Sequence, residues 1–207
     1  FEKRKQNHNV QFIIDGENIE IVDNFTYLCR RFTHTGNLSQ SVKALSEQAL
    51  KAYHNLLYVF DRIHIDVKTK LSLFDAMVAP ILLYGSEVWG VYGYKEIDKL
   101  HIKFCKYILG VRQQTSNYAV YGELGRYPLS LIAKERSLKF WLKIMKNTNS
   151  PIYNMYIELN DIVNRNSWSN CIKNNIDSLG YSHIFNNVDF NINYLPLLKR
   201  RMRDHFI

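Results

Sequence analysis

The sequence predicts a mainly α-helical (α+β) protein that begins with a short strand segment. Three patterns predict it. Residues 10–33 carry strand signals, apolar side chains alternating with other residues between turn-forming ones. From Ser39 onward apolar side chains recur three and four positions apart, the period of a helix face. Glycine and proline then fall where such helices should end or begin.

Residues 3–9 read as a solvated loop. Val10, Phe12 and Ile14 alternate, Asp15-Gly16 supplies a turn, and Ile19, Ile21 and Val22 resume the apolar pattern. That is a hairpin signature. Phe25, Thr26, Tyr27, Leu28 and Cys29 read as a third strand. The first helix carries Val42, Leu45, Ala49, Ala52, Tyr53, Leu56, Leu57 and Phe60 on its inner face, with Asn37 or Ser39 placed to cap it. Asp66 is the expected N-cap of the next helix, which buries Leu71, Phe74, Met77 and Val78 until Pro80 kinks or ends it.

A third helix is expected over 94–109, with Gly110 just past its end. A short helix follows Ser116 and stops near Gly125. Pro128 stands at the first position of a long helix to about Lys146, and Ser150-Pro151 repeats that start signal. Further helices are expected over 168–179, closed by Gly180, and over 194–206. Asparagine recurs through 147–193, which disfavours helix interiors, so short helices and long connections are expected there. Soft boundaries fall near 33 and near 148.

The chain has 207 residues, 46% of them hydrophobic, enough for one sizeable core or two small ones. Lys and Arg number 27 against 19 Asp and Glu, a formal charge of +8. That excess favours a polyanionic partner, nucleic acid first and an anionic membrane second, although a plain basic protein has the same composition. Cys29, Cys105 and Cys171 are odd in number and far apart, so no disulfide framework or C-x-x-C zinc site is encoded. A reducing compartment, nucleus or cytoplasm, is the expectation. The longest apolar run, 77–84, falls well short of the ~20 residues that span a bilayer, so no membrane partner is expected. The start at Phe1, without Met, suggests a piece cut from a longer protein.

Two basic stripes are the candidate binding residues. On the helix at 94–109, Ile97, Leu100, Phe104 and Ile108 share one face, while Lys95, Lys99, Lys103 and Lys106 fall opposite. Like charges in a row lack i,i+4 carboxylate partners and sit more comfortably against phosphates, or else form an ordinary solvated face. On the helix at 129–146, Arg136, Lys139, Lys143 and Lys146 make a second stripe beside Leu131, Leu138, Trp141, Leu142 and Met145. Lys43, Glu47 and Lys51 read as a self-neutralised ladder instead. The dense cluster at 199–203 is a nucleic-acid grip, a nuclear localisation patch or the polar side of the last helix.

Catalytic signals are missing. His101 and Cys105 have a zinc-compatible i,i+4 spacing, but no cluster supplies the other two ligands, so Cys105 reads as a packed thiol. There is no G-x-S-x-G, no P-loop and no adjacent aspartate pair. Two-metal nucleotidyl transfer needs carboxylates converging on ions ~4 Å apart. Aromatics make up 14% of the chain and mostly sit at helical spacing, which favours core packing over base stacking.

These residues resemble one family, the reverse transcriptases of non-LTR (LINE-type) retrotransposons, in the region downstream of the catalytic palm motif. Phe25 to Cys29 is similar to the strand that closes the palm and leads to the primer grip, and the hairpin before it occupies the place of strands following the catalytic one. LSEQALK at 45–51 resembles the first thumb helix, and LFDAMVAPILLYGSEVWG at 73–90 the next thumb element. IDKLHIKFCKYILGV at 97–111 resembles the helix after it, and YGELGR at 121–126 with Pro128-Leu129 is the sharpest signature beyond. The resemblance is strong over 10–145 and fainter after. Cys29 departs from it, standing where the family has Gly, with Arg30-Arg31 following.

The resemblance implies three segments: palm-closing strands at 1–33, a thumb with connecting helices at 34–147, and a C-terminal helical extension at 148–207. It implies an RNA-directed DNA polymerase fragment that holds a template-primer duplex and is not an enzyme by itself. Its partners would be an RNA–DNA hybrid and the rest of the polymerase, and Mg²⁺ would belong only to the missing palm. Candidate nucleic-acid contacts are then Arg30 and Arg31 together with the two stripes. The alternatives are a domesticated or decayed remnant that binds nucleic acid alone, and a helical protein-interaction module.

Overall fold

The structure, a computed structural model, describes residues 12–20, 22–27, 30–33, 36–161, 167–186 and 193–206. The protein is mainly α, with two short antiparallel strand pairs followed by a series of helices. The chain divides into two compact units, 1–41 and 42–207.

In the first unit β1 (Phe12–Ile14) pairs with β2 (Glu17–Ile19), Phe12 opposite Ile19. Asp15 and Gly16 turn the chain with φ of 51° and 83°. Positive φ at both central residues is the turn geometry that matches strand twist, which is why Asp-Gly serves here. β3 (Asn24–Tyr27) pairs with β4 (Arg30–Thr33), Phe25 opposite Phe32. The pattern of residues reveals only β3; β4, with its paired arginines, hides its strand character. Phe12, Ile13, Ile14, Phe25, Tyr27 and Phe32 are all exposed. The proposed ends of the first hairpin at Val10 and Ile21, and Leu28 and Cys29, lie outside the described residues.

Helix α1 (Ser39–Arg62) starts at the end of this unit, where the Asn37 side-chain oxygen accepts from the Ser39 N–H at 2.8 Å. In the second unit α2 (Val67–Met77) is capped by Asp66, whose carboxylate accepts from the Thr69 N–H at 3.0 Å. α3 (Ala79–Leu82) restarts one residue later with Pro80 in its first turn, and α4 (Ser86–Trp89) follows the left-handed Gly85. A single 3₁₀ turn, Gly90–Tyr92, leads to α5 (Glu96–Leu109), which Gly110 ends at φ 64°. Then come α6 (Asn117–Glu123), α7 (Leu129–Lys146), α8 (Pro151–Asp161), α9 (Trp168–Ser178), α10 (Ser182–Asn186) and α11 (Tyr194–Asp204). Pro128 sits at the cap of α7, one position before the expected one.

Aromatics join α1, α2 and α5. Phe74 stacks on Phe104 with ring centroids 4.1 Å apart, and Tyr53 meets Phe104 edge-on at 6.3 Å. A second cluster is centred on α7: Leu138, Trp141 and Ile144 pack with Tyr156, Ile172, Ile176, Tyr194, Leu198 and Met202. This core crosses residue 148 without a break, so the expected division there does not separate two cores. The asparagine-rich region folds because Ile172, Ile176 and Leu179 still recur at helical spacing and outweigh weak propensity.

The segment 83–90 is the seat of α7. The Ser137 hydroxyl donates to the Ser86 carbonyl at 2.8 Å, and a Cβ on Gly90 would lie 2.2 Å from the Ala133 carbonyl oxygen. Glycine there lets two backbones touch. No single helix among the described residues is long and apolar enough to cross a membrane. The bent stretch 67–92 buries Phe74, Val78, Leu82, Trp89 and Val91 inside the fold.

Candidate nucleic-acid interface

The two basic stripes are reached from helices whose other faces are fixed by packing. In α5, Ile97, Leu100, His101, Phe104 and Cys105 are buried, which turns Lys95, Lys99 and Lys103 outward into solvent. Lys106 does not join them. It is 5% exposed, and its ammonium donates to the Gln113 carbonyl at 2.6 Å. Gly110 turns the chain back after α5, and the loop carbonyl captures the charge. The expected four-lysine stripe is therefore three lysines and a buried clasp.

In α7, Lys139, Lys143 and Lys146 are exposed. Arg136 is half-buried and donates to the Leu83 carbonyl at 3.1 Å, anchoring the 83–90 segment instead of pointing wholly outward. These four line a groove of about 550 Å³ with Phe140, Leu142 and Glu87. Lys95 and Lys99 line a separate depression. The two share no lining residue. None of the six exposed lysines forms a salt bridge among the described residues; Lys103 lies 5.8 Å from the centre of the Tyr53 ring. Arg31 is exposed on β4, opposite Thr26. Arg30 is in the same strand, and its side chain lies outside the described residues.

The terminal cluster is divided. Lys199 and Arg203 bind the buried carboxylate of Glu135 at 3.4 and 3.2 Å, while Arg200 and Arg201 are exposed. Glu135, a polar residue on the inner side of α7, was illegible in sequence because its partners lie more than sixty positions away. Arg126, in the YGELGR string, pairs with Asp75 of α2.

The inner face of α5 also buries titratable side chains. His101 is fully buried, stacks on Phe74 at 5.5 Å, and neither ring nitrogen has a hydrogen-bond partner among the described residues. Burial, helped by the Arg126 charge, pulls its pKa from 6.5 down to about 3, so the imidazole is neutral. Burial pushes the Cys105 thiol up to about 11, making it a packed, unreactive thiol. The Asp98 carboxyl is also pushed up by burial, against the pull of its bonds from Ser130 and Leu129 and of Lys95. It accepts from the Ser130 N–H at 2.9 Å, tying α5 to the start of α7. No group of three or more His, Cys, Asp or Glu able to hold a metal occurs among the described residues.

Comparison with known proteins adds one relation. An uncharacterised transposon-derived protein of Caenorhabditis elegans is 34% identical over 71 residues. The match covers 34% of this chain and 25% of that relative, so the chain spans about a quarter of the protein it resembles. No family model matches the chain, and no solved structure does.

Proposed function

We propose that this chain is a non-catalytic part of a non-LTR retrotransposon reverse transcriptase that holds a template-primer duplex by its backbone. The observation that carries the reading is the pair of lysine faces, Lys95, Lys99 and Lys103 at the start and along α5 and Lys139, Lys143 and Lys146 along α7, exposed and forming no salt bridge among the described residues. Like charges kept together in this way are stabilised by phosphates, and a hybrid duplex is recognised by shape and backbone with little base readout. The partial match to a transposon-derived protein supports the lineage. The strand unit supports the position in the parent. Two-stranded hairpins whose apolar residues all face water are marginal alone, and a neighbouring palm sheet would cover them. In this reading the chain performs no chemistry itself, since it lacks the adjacent aspartates of the palm.

The test is anisotropy titration of an RNA–DNA hybrid at two salt concentrations. Tight binding at low salt with a steep loss at high salt is expected. Absence of binding, or binding indifferent to salt, sinks the proposal.

A further inference from the structure

A depression of about 320 Å³ lies between α5, α6 and the residues after α11. Two different chemistries meet in it. Lys95 and Lys99 of the α5 stripe stand on one side. Tyr118 and Phe206 stand on another, their ring centroids 5.3 Å apart. Tyr118 is 67% exposed, more than any other large apolar side chain among the described residues. A ring so placed contributes little to the core, although it is held over the depression by Phe206.

Tyr121 lines the same depression from inside the fold. It is 3% exposed, and its hydroxyl is buried with no hydrogen-bond partner among the described residues. Such a group is unfavourable until an acceptor is brought to it. Asp98 is the one acid in the lining, and its carboxylate is already bonded to the Ser130 N–H.

We propose that this depression takes one unpaired nucleotide of a single strand, its base stacked on the Tyr118–Phe206 pair and its phosphates on Lys95 and Lys99. A flat π-face beside two cations is what a nucleotide presents in complement, and aromatic stacking accepts any base. The site goes beyond duplex holding, which needs no aromatic surface. It places the junction between duplex and single strand at the N-terminal end of α5.

The test uses the full chain and four labelled nucleic acids: a blunt RNA–DNA hybrid, the same hybrid with a short unpaired tail, the same tail made abasic, and a free single strand. Tails of RNA and of DNA are run in parallel to show which strand is taken. The unpaired tail is expected to tighten binding roughly tenfold over the blunt hybrid, and the abasic tail to lose that gain. Tyr118→Ala should abolish the gain while leaving blunt-hybrid affinity unchanged, and Tyr118→Phe should keep it. A tail that adds nothing, an abasic tail that binds as well, or a gain indifferent to Tyr118→Ala overturns the proposal. If the blunt hybrid binds and the tail adds nothing, the pocket fails and duplex holding stands. If the single strand binds through Tyr118 and the blunt hybrid does not, duplex holding fails and the pocket stands. If none of the four binds, both fail.

Discussion

The stripe along α5 (Lys95, Lys99, Lys103, Lys106) and the stripe along α7 (Arg136, Lys139, Lys143, Lys146) each number four cations, and each loses one to a backbone carbonyl. The losses differ. Lys106 bonds seven positions along, to Gln113, and closes the turn at the end of its own helix. Arg136 reaches Leu83, fifty-three positions back, and fastens a different segment to α7. The first is a local clasp and the second a tertiary anchor. Their inner faces differ in the same sense: α5 turns aromatic and histidine rings to α2, whereas α7 is gripped by the 83–90 segment, α8, α9 and α11. A cation on a helix is therefore free only where no carbonyl or carboxylate of another segment comes within reach.

The strongest way to probe this difference is through the two inner faces. Trp141→Ala on α7 and Phe104→Ala on α5 each remove a fully buried ring, and each should cost about 3–5 kcal/mol in urea unfolding. A single transition in both variants would mean that the two faces belong to one cooperative body. Next comes the seat of α7. Gly90→Ala puts a methyl against the Ala133 carbonyl, a clash with backbone that cannot rotate away, and should cost about 3 kcal/mol. Unchanged stability there would refute the close approach.

The buried imidazole of α5 gives the fold a pH dependence. With a folded pKa of about 3 and an ordinary value of 6.5, His101 binds no proton in the fold between those limits, while the unfolded chain does. Its contribution is fully present above 6.5 and is lost as pH falls toward 3. Stability should drop by about 2 kcal/mol from pH 7 to pH 5, a drop that His101→Phe should remove. Equal pH slopes in the two proteins would refute the buried neutral state.

The smallest effects separate bound cations from free ones. Lys106→Met leaves the Gln113 carbonyl without its donor and should cost about 1.5 kcal/mol. Lys99→Ala or Lys143→Ala should change stability by under about 0.5 kcal/mol. Each should instead lower the salt dependence of hybrid binding by about one unit of the log–log slope. A lysine that lowers stability and leaves the slope intact belongs with Lys106.

The elements were legible where the signals are local. Asp66 caps α2, Pro80 breaks the helix before it, Gly110 and Gly180 end α5 and α9, and the periodicity over 129–146 marks α7. Three exposed lysines on each stripe were legible for the same reason, because the apolar residues beside them fix the rotation of the helix. Lys106, Arg136, Glu135 and the unpartnered His101 were not. Whether a polar side chain is claimed depends on which carbonyl or carboxylate the rest of the chain brings to it, and no spacing within one helix encodes that. The depression at Tyr118 was hidden likewise: Lys95, Tyr118 and Phe206 come from three distant elements. β4 was missed because its pairing with β3 hides behind two arginines.

The Glu135 clamp has a consequence for the order in which the protein can take shape. Tyr194, Leu198 and Met202 complete a core whose other half, Leu138 to Ile144, leaves the ribosome some fifty residues earlier. Until residue 203 has been made, Glu135 is a carboxylate facing apolar surface without its cations. During synthesis the inner face of α7 stays incomplete until α11 has been made, and an unfinished core of this kind is open to proteases and to unproductive pairing with other chains.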